Sequence, residues 1–224
     1  MKNVEATSAS PATSIISGMT RPVLMSAAFF MVVTGILYPL ATTATAQLLF
    51  RRPAQGNLIA KDGQLVGSRL IGQYFTQPQY FHGRPSATSG PNPDDRSRMI
   101  DQPYNAAAST ASNQGVLSRK LLAAVAERAR IYREQNGLAP DAQVPVDAVT
   151  ASASGLDPHI SRANARLQTI RVAAARGMPE QEVAALVERN TTQRQFGILG
   201  EPAVHVLELN LALDDAVAAR PAAQ

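Results

Sequence analysis

The feature that most constrains this chain is an uncharged stretch of 29 residues, Pro22–Phe50, which lies between Arg21 and Arg51. At about 1.5 Å per residue, a helix of this length reaches roughly 43 Å, more than the about 30 Å of a bilayer's hydrocarbon core. A buried core helix would normally keep one polar face, whereas this stretch is apolar all round. The sequence therefore predicts a transmembrane helix over residues 21–50, which Pro39 kinks or interrupts.

The fate and orientation of this segment depend on its flanks. Small residues at Ala44–Ala46 also fit the cleavage site of a signal peptide, but the apolar part of a signal peptide spans only about 7–15 residues. We therefore favour an uncleaved anchor. Basic residues usually gather on the cytoplasmic side of a membrane helix. Counting them places the C-terminal part inside, because two precede the stretch and four follow it: Lys2, Arg21, Arg51, Arg52, Lys61 and Arg69.

Residues 51–224 have the composition of one folded domain. They carry 19 of the 21 basic and 16 of the 17 acidic side chains, and about 170 residues suffice for a single core. The arginines are dispersed among acidic residues without interleaved aromatics, which argues against nucleic-acid binding. The absence of cysteine excludes disulfides, thiolate metal sites and cysteine nucleophiles. We predict a disordered leader over 1–20, a soluble domain over 51–216 and a flexible tail over 217–224.

Local patterns in the first half of this domain predict both strands and a helix. Asp62-Gly63 separates two short apolar pieces and predicts the turn of a hairpin. Four prolines between residues 84 and 103 predict a long exposed loop. Ser112 or Asn113 is expected to cap a helix that Gly137 ends.

The second half predicts two further helices and a last strand. Asp157 as cap, with Pro158 at the first helical position, predicts a second helix ending at Gly177. Its predicted apolar stripe is Ile160, Ala163, Leu167, Ile170 and Ala174. A third helix is expected from Pro179, and the alternation of Leu207–Leu213 predicts a half-buried strand. The predicted fold class is α+β, with one N-terminal transmembrane helix followed by a single soluble mixed α/β domain.

Few residues offer catalytic chemistry. The three histidines, His82, His159 and His205, lack the spacing of a zinc site, and neither a phosphate-binding loop nor a dinucleotide fingerprint occurs. Ser154 or Ser161 near His159 leaves a serine hydrolase open, although a small-residue turn entering a helix explains the same letters better. A membrane-anchored periplasmic solute-binding domain is the other alternative. We predict no catalytic residue and no metal ligand.

The second helix also carries a polar face. Asn164, Gln168 and Arg171 recur on it at spacings of four and three residues. This pattern is typical of a solvated face. It also fits a partner surface, because amides and arginine satisfy polar groups at interfaces.

The string Val144–Ser161, VPVDAVTASASGLDPHIS, closely resembles the signature of the C subunit of the Kdp ATP-driven potassium transporter. The resemblance runs from Arg21 to about Asp214. It is carried in order by further blocks: Gly67–Phe75, Tyr80–Ser86, Tyr104–Ala106, Ser112–Gly115, Gln168–Gly177 and Leu199–Pro202. Three positions depart from the family pattern, namely Val116, Ala153 and His205, where the family usually has proline, glycine and asparagine.

The resemblance implies a role that the bare residues do not. Members of this family are single-pass subunits of a bacterial inner-membrane complex, with the N-terminus cytoplasmic and the soluble domain periplasmic. The complex also holds a channel-like potassium-binding subunit, a P-type ATPase subunit and a small stabilising subunit. The C subunit is a non-catalytic accessory subunit that is needed for assembly and stabilisation. It has also been described as a catalytic chaperone that raises the ATP affinity of the ATPase subunit. ATP then acts at the level of the complex, and we assign no residue of this chain to it.

Partner contacts are expected from the membrane helix and from the matching blocks. Small residues of the helix, above all Ser26, Ala27 and Gly35, let a partner helix approach closely within the lipid. The predicted interface residues of the soluble domain are Gln73, Arg84, Asn105, Asn113, Asp157, His159, Ser161, Gln168 and Arg171.

Overall fold

The computed structural model describes residues 13–220, which fall into two compact units, one up to Gln55 and one from Gly56. The N-terminal unit is helical throughout. Its helices are α1 (Thr13–Val32), a π-helical turn (Val33–Leu37), α2 (Tyr38–Leu49) and the short α3 (Arg51–Ala54). Among the described residues one helical stretch, Gly18–Leu49, is long and apolar enough to cross a bilayer, with a mean hydropathy of 2.0.

The predicted leader and tail lie partly outside the described residues. Residues 1–12 of the leader and residues 221–224 of the tail are outside the described range. Within the described part, α1 begins at Thr13, inside the segment predicted to be disordered. The last helix likewise continues to Ala218, inside the segment predicted to be a flexible tail.

The apolar helix does not end at Pro39. The backbone N–H of Tyr38 donates to the carbonyl of Val33, five residues earlier, so the turn before the proline is widened. Proline lacks an N–H, and its ring clashes with the carbonyl four residues earlier in a regular helix. The π-helical turn therefore accommodates Pro39 while the helix continues to Leu49.

Several hydroxyl groups along this helix donate to carbonyls within the helix itself. Thr34 Oγ1 donates to the Phe30 carbonyl at 2.6 Å, and Thr45 Oγ1 donates to the Ala41 carbonyl at 2.8 Å. Such bonds to the preceding turn remove the need for water. These hydroxyls are therefore compatible with a hydrocarbon environment.

The C-terminal unit opens with two small hairpins. Strands β1 (Leu58–Lys61) and β2 (Gln64–Ser68) pair antiparallel across a turn in which Asp62 and Gly63 have φ of 51° and 78°. Both values are left-handed, as a two-residue turn of this type requires, so the predicted hairpin is confirmed. Strands β3 (Ser89–Pro91) and β4 (Met99–Asp101) form a second hairpin inside the stretch predicted as a loop.

Helices and a three-stranded sheet form the rest of this unit. The elements are α4 (Arg119–Gln135), α5 (Val146–Val149), β5 (His159–Ser161), α6 (Arg162–Arg176), α7 (Glu180–Arg189), β6 (Thr191–Thr192), β7 (Ala203–His205) and α8 (Val206–Ala218). The sheet is antiparallel in the order β5-β7-β6, with His159 opposite His205. The core cluster consists of Phe81, Ile160, Ala165, Val172, Ala173, Met178, Val183, Val187, Val204, Val206, Leu209 and Leu213. The predicted α+β class, with one N-terminal apolar helix and a mixed domain, is confirmed.

The last element is a helix, and the predicted strand over Leu207–Leu213 is wrong. Alternating leucines also place pairs four residues apart, and Leu, Glu and Ala favour helix over strand. The side chains of Leu209 and Leu213 are fully buried on one face of α8. The helix starts directly after β7 because the ring of His205 accepts a hydrogen bond from the backbone N–H of Glu208.

The predicted start of the second helix is also wrong. Asp157 and Pro158 precede the strand β5, and the N-terminal cap of α6 is Ser161, whose Oγ accepts from the Asn164 N–H at 3.1 Å. The far end is as predicted, because Gly177 has φ 59° and closes the helix in the left-handed conformation. The register of the buried face shifts accordingly. Ile170, from the predicted apolar stripe, is 57% exposed.

The first helix of this domain, α4, begins later than predicted. Its N-terminal cap is Ser118, whereas Ser112 and Asn113 lie in an exposed loop. Asn113 has φ 47°, a left-handed conformation that a helix cannot include. Gly137, with φ 62°, follows the helix end as predicted.

Candidate partner-binding site

The small residues of the membrane helix are open to a partner. Ser26, Ala27 and Gly35 are all exposed, and a Cβ built on Gly35 meets nothing within 4 Å. The hydroxyl of Ser26 donates to the Val23 carbonyl at 3.0 Å, so it presents no unsatisfied donor to lipid. Close approach of a second helix is therefore sterically possible at each of these positions.

Arg84 and Asp157 form the centre of the polar cluster in the soluble domain. Arg84 Nη1 donates to Asp157 Oδ2 at 3.0 Å, and both side chains are about three-quarters buried, being 25% and 26% exposed. Arg84 Nη2 reaches the carbonyls of Thr150 and Ala151 at 3.5 Å. The guanidinium thus ties the turn before β5 to the segment that carries Arg84.

The carboxylate of Asp157 also shapes the start of β5. Its Oδ1 accepts from the backbone N–H of His159 at 3.0 Å. Burial alone would raise the pKa of Asp157, but the hydrogen bonds from His159 and the guanidinium of Arg84 outweigh it and hold this pKa below its usual value. The carboxylate therefore stays charged and fixed. Its distance to His159 Nδ1 is 3.6 Å.

Tyr104 is wedged between two glycines beside this cluster. A Cβ on Gly72 would lie 2.4 Å from Tyr104 Cε1, and a Cβ on Gly83 would lie 2.4 Å from Tyr104 Oη. The hydroxyl donates to the Arg84 carbonyl at 2.9 Å. Burial is the main reason that the pKa of Tyr104 is raised, so the phenol remains a neutral donor. Only residues without a side chain leave room for this ring.

Asn105 and Gln73, two further predicted interface residues, bind backbone groups of their own domain. Asn105 Nδ2 donates to the Ser89 carbonyl at 2.9 Å, which ties it to β3. Gln73 Nε2 donates to the Val66 carbonyl at 2.6 Å in β2. Asn113, by contrast, is exposed. The structure therefore brings Arg84, Asp157 and His159 together but places Gln73 and Asn113 elsewhere.

The polar face of α6 points into the domain, and the expectation of a solvated face is wrong. Asn164 and Gln168 are each only 1% exposed. Gln168 Nε2 donates to Asn164 Oδ1 at 2.8 Å, and the hydroxyl of Tyr132 donates to the same oxygen at 2.9 Å. Arg171 Nη2 donates to Gln168 Oε1 at 2.7 Å, so the three predicted residues form one network. Their contact with a partner stays a prediction.

This network holds the extended segment at Phe81 and His82. Gln168 accepts from the His82 N–H at 2.8 Å and donates to its carbonyl at 3.1 Å. Asn210 on α8 does the same for Phe81, at 2.8 and 3.0 Å. Two buried amides thus replace the hydrogen bonds of a neighbouring strand. The sequence analysis missed Asn210 because it predicted a strand over Leu207–Leu213. Only when this segment is known to be a helix does Asn210 fall on the buried face beside Leu209 and Leu213.

A cavity of about 210 Å³ lies beside the network, between the segment that carries Tyr74 and Arg84 and the helix α4. Its charged lining residues are Arg84 and Arg128. Among the residues that the structure describes, no Asp or Glu lines it. Arg128 Nη1 donates to the Val149 carbonyl at 3.0 Å. Three tyrosines, Tyr74, Tyr104 and Tyr132, are among its other lining residues. Such a lining suits an anionic or carbonyl-bearing group and disfavours a cation.

The hydroxyls considered for a serine hydrolase have other partners. Ser161 Oγ donates to Asp147 Oδ1 at 2.8 Å and caps α6. Ser154 Oγ accepts from the Leu156 N–H at 3.1 Å. The ring of His159 packs edge-on against His205, with 5.1 Å between centroids. These geometries favour the small-residue turn over a nucleophile paired with His159.

An exposed apolar loop between β6 and β7 was not anticipated. Phe196 is 83% exposed, Ile198 75% and Leu199 55%. Reciprocal backbone bonds between Gln195 and Leu199, at 2.8 and 2.9 Å, hold the loop, and Phe196 has φ 55°. A left-handed conformation is unfavourable for a bulky residue, yet Phe196 gains almost no burial from it within this domain. The sequence Phe196–Leu199 predicts an exposed apolar loop only when the turn that contains it is already known.

Comparison with known proteins places the whole of this arrangement in one family. The family model for KdpC, described as K+-transporting ATPase, c chain, matches residues 20–215. A potassium-transporting ATPase KdpC subunit of Bradyrhizobium diazoefficiens is 50% identical over 198 residues, which cover 88% of this chain and 97% of that protein. The KdpC subunit of Mycobacterium tuberculosis strain H37Rv is 51% identical over 193 residues, covering 86% and 96%.

The agreement includes both the apolar helix and the mixed domain. A third relative, the KdpC subunit of Rhodopseudomonas palustris strain BisB18, is 49% identical over 196 residues, covering 88% of this chain and 97% of that protein. The matched range 20–215 also contains the Arg84–Asp157 pair and the buried amides of α6. This chain therefore belongs to the KdpC family, the c chain of the K+-transporting ATPase.

Proposed function

We propose that this chain is a non-catalytic accessory subunit of an ATP-driven potassium import complex. In this proposal, the apolar helix anchors it in the bacterial inner membrane, with the N-terminus cytoplasmic and the mixed domain periplasmic. Its partners are a P-type ATPase subunit, a channel-like potassium-binding subunit and a small stabilising subunit. The family match and the apolar Gly18–Leu49 helix support this role.

The main support for the proposal is a contrast in the soluble domain between polar side chains that bond within the chain and apolar side chains that are exposed. Polar groups of the segments that carry the family resemblance bond to their own chain, as Arg84 Nη1, Asp157 and Ser161 do. Large apolar side chains of one loop remain exposed instead, namely Phe196 at 83%, Ile198 at 75% and Leu199 at 55%. Apolar side chains exposed together on one loop are typical of a surface that meets another protein. The pattern therefore favours docking over chemistry on a substrate.

An effect on ATP follows from docking in this proposal. An accessory subunit raises the ATP affinity of the ATPase subunit when it stabilises the conformation that binds ATP more tightly. Direct contact with the nucleotide is not required for such coupling. We propose that this chain acts on ATP only in this indirect way. Removing the chain from the complex should then raise the KM for ATP without abolishing hydrolysis.

The assembly role is tested at Gly35. A Gly35→Leu side chain would fill the open space on the π-helical turn and keep a partner helix away. Gly18→Leu is the matched control, because Gly18 is equally open but lies at the N-terminal end of the apolar stretch. We expect Gly35→Leu to lower the recovery of the ATPase and channel-like subunits with the tagged chain after mild detergent extraction. Equal recovery with both variants would contradict helix packing at this site.

A further inference from the structure

His205 occupies the junction between β7 and α8, and both of its ring nitrogens are engaged. Nδ1 lies 3.2 Å from the backbone nitrogen of Glu208, and Nε2 lies 2.9 Å from the carbonyl oxygen of Arg69. A backbone N–H can only donate, and a carbonyl can only accept. The ring is therefore a neutral imidazole with its proton on Nε2. The residue is only 5% exposed.

This ring links two elements of the domain. It caps the first turn of α8, a task usually performed by Ser, Thr, Asp or Asn. It also binds the backbone at Arg69, directly after β2, so the end of the first hairpin is tied to the start of the helix. The ion pair between Arg69 Nε and Glu208 Oε1, at 2.7 Å, joins the same two points through side chains that are more exposed.

We propose that His205 is an acid-sensitive latch between the β1–β2 hairpin and α8. A proton on Nδ1 removes the acceptor of the Glu208 N–H and sets two donors against each other. The cap is then lost, and the imidazolium must turn away or draw in a carboxylate. Either movement frees the first turn of α8, and a ring that turns away also breaks its hydrogen bond to the Arg69 carbonyl.

The charges around the ring set the direction of the response. On α8 the ring faces the carboxylate of Glu208, and after β2 it faces the guanidinium of Arg69. On β5 it faces the ring of His159, which in turn lies 3.6 Å from the carboxylate of Asp157. Burial is the largest influence and lowers the pKa of His205. The hydrogen bond to the Arg69 carbonyl and the carboxylate of Glu208 raise this pKa, whereas the charges of His159 and Arg69 lower it further.

The sign of the pH dependence follows from that lowered pKa. The folded domain favours the neutral ring more than the unfolded chain does. The stabilisation by His205 is therefore complete above the unfolded value of about 6.5 and is lost as the pH falls below it. His82 has a pKa lowered by burial and by Arg171, so it contributes in the same direction to global stability. A measurement of local stability at the start of α8 is therefore needed to separate the contribution of His205 from that of His82.

Hydrogen exchange of the full chain in detergent provides that measurement. Protection of the Glu208 amide is compared at about pH 7.5 and about pH 5.5, after correction for intrinsic exchange rates. His205→Asn keeps a capping oxygen that does not titrate in this range, and His82→Asn is the control for the half-buried His82. We expect protection in the unmodified chain and in His82→Asn to fall about five-fold at the lower pH, the loss of one helix cap. His205→Asn should change less than about two-fold. The same fall in His205→Asn, or none in the unmodified chain, would overturn the proposal.

The nitrogen-15 spectrum of the unmodified chain tests the latch independently of any variant. At neutral pH, His205 should show an unprotonated Nδ1 and a protonated Nε2. On acidification, the appearance of the imidazolium should coincide with the loss of Glu208 protection. A ring that carries its proton on Nδ1 at neutral pH would also overturn the latch.

Discussion

Replacing Gln168 by leucine should destabilise the domain strongly, although a polar residue on a predicted helix surface would ordinarily be dispensable. Gln168 is 1% exposed, and its amide pairs with both backbone groups of His82. Leucine fills a similar space but offers neither a donor nor an acceptor. The N–H and C=O of His82 then lose the side-chain amide that pairs with both of them, and Arg171 loses one acceptor.

The magnitude follows from these unpaired groups. A buried donor or acceptor left without a partner costs about 1–3 kcal/mol. Because His82 is only half-buried, its two unpaired backbone groups together should lower the free energy of unfolding by about 2–4 kcal/mol. Since domains of this size are stable by only about 5–15 kcal/mol, this loss is large. A solvated glutamine, as the sequence pattern suggested, would give less than about 0.5 kcal/mol.

Urea unfolding of the full chain in detergent, followed by far-ultraviolet circular dichroism, measures this loss. Gln181→Leu on α7 is the matched control, because it makes the same change at an exposed position. We expect the control to stay within about 0.5 kcal/mol of the unmodified chain. If both variants have the same stability, the buried amide does not hold the segment at His82, and this account of the network is refuted.

Three further predictions concern the packing, the capping and the docking surface. Gly83→Ala should cost about 1–3 kcal/mol of unfolding free energy, because the new methyl group would meet the Tyr104 hydroxyl at 2.4 Å. Ser161→Ala should cost about 1–2 kcal/mol by the same urea assay, because α6 loses its cap. Phe196→Ser should leave stability within about 0.5 kcal/mol but lower recovery of the partner subunits in detergent by about five-fold or more.

Each of these has a matched control. Gly115→Ala meets nothing within 4 Å and should be neutral, so an equal cost at both glycines would contradict the wedge at Tyr104. Ser112→Ala changes an exposed serine outside any helix and should leave stability unchanged. Met99→Ser removes another exposed apolar side chain, 62% exposed on β4, and should not affect recovery. If Met99→Ser lowers recovery as much as Phe196→Ser, the β6–β7 loop is not a specific docking surface.

Features set by nearby residues could be predicted from the sequence. The uncharged Pro22–Phe50 stretch needs no partner within the chain to be helical, and an apolar helical stretch is found over Gly18–Leu49. The hairpin turn at Asp62-Gly63 and the helix end at Gly177 rest on backbone conformations that the residues themselves favour. The α+β class follows from the same local patterns.

Features set by distant partners could not be predicted in this way. Gln168 looked like part of a surface because its partner, the backbone of His82, lies 86 residues earlier in the chain. Asn210 binds the backbone of Phe81, 129 residues earlier. A side-chain amide that pairs with main chain carries no sequence signature, since any residue supplies the same backbone groups. The strand predicted from the alternation of Leu207–Leu213 was wrong for a related reason. The helix found there depends on the cap at His205 and on burial against the core, and the alternation shows neither.

The central claim is that this chain acts by docking within a potassium-transporting ATPase. The most direct test is to purify the tagged full chain from membranes of potassium-limited cells in mild detergent and to identify its partners by mass spectrometry. The account predicts that a P-type ATPase subunit, a large polytopic channel-like subunit and a small subunit co-purify, with ATP hydrolysis that potassium stimulates. Recovery of a stable chain alone, without those subunits or that activity, would contradict it.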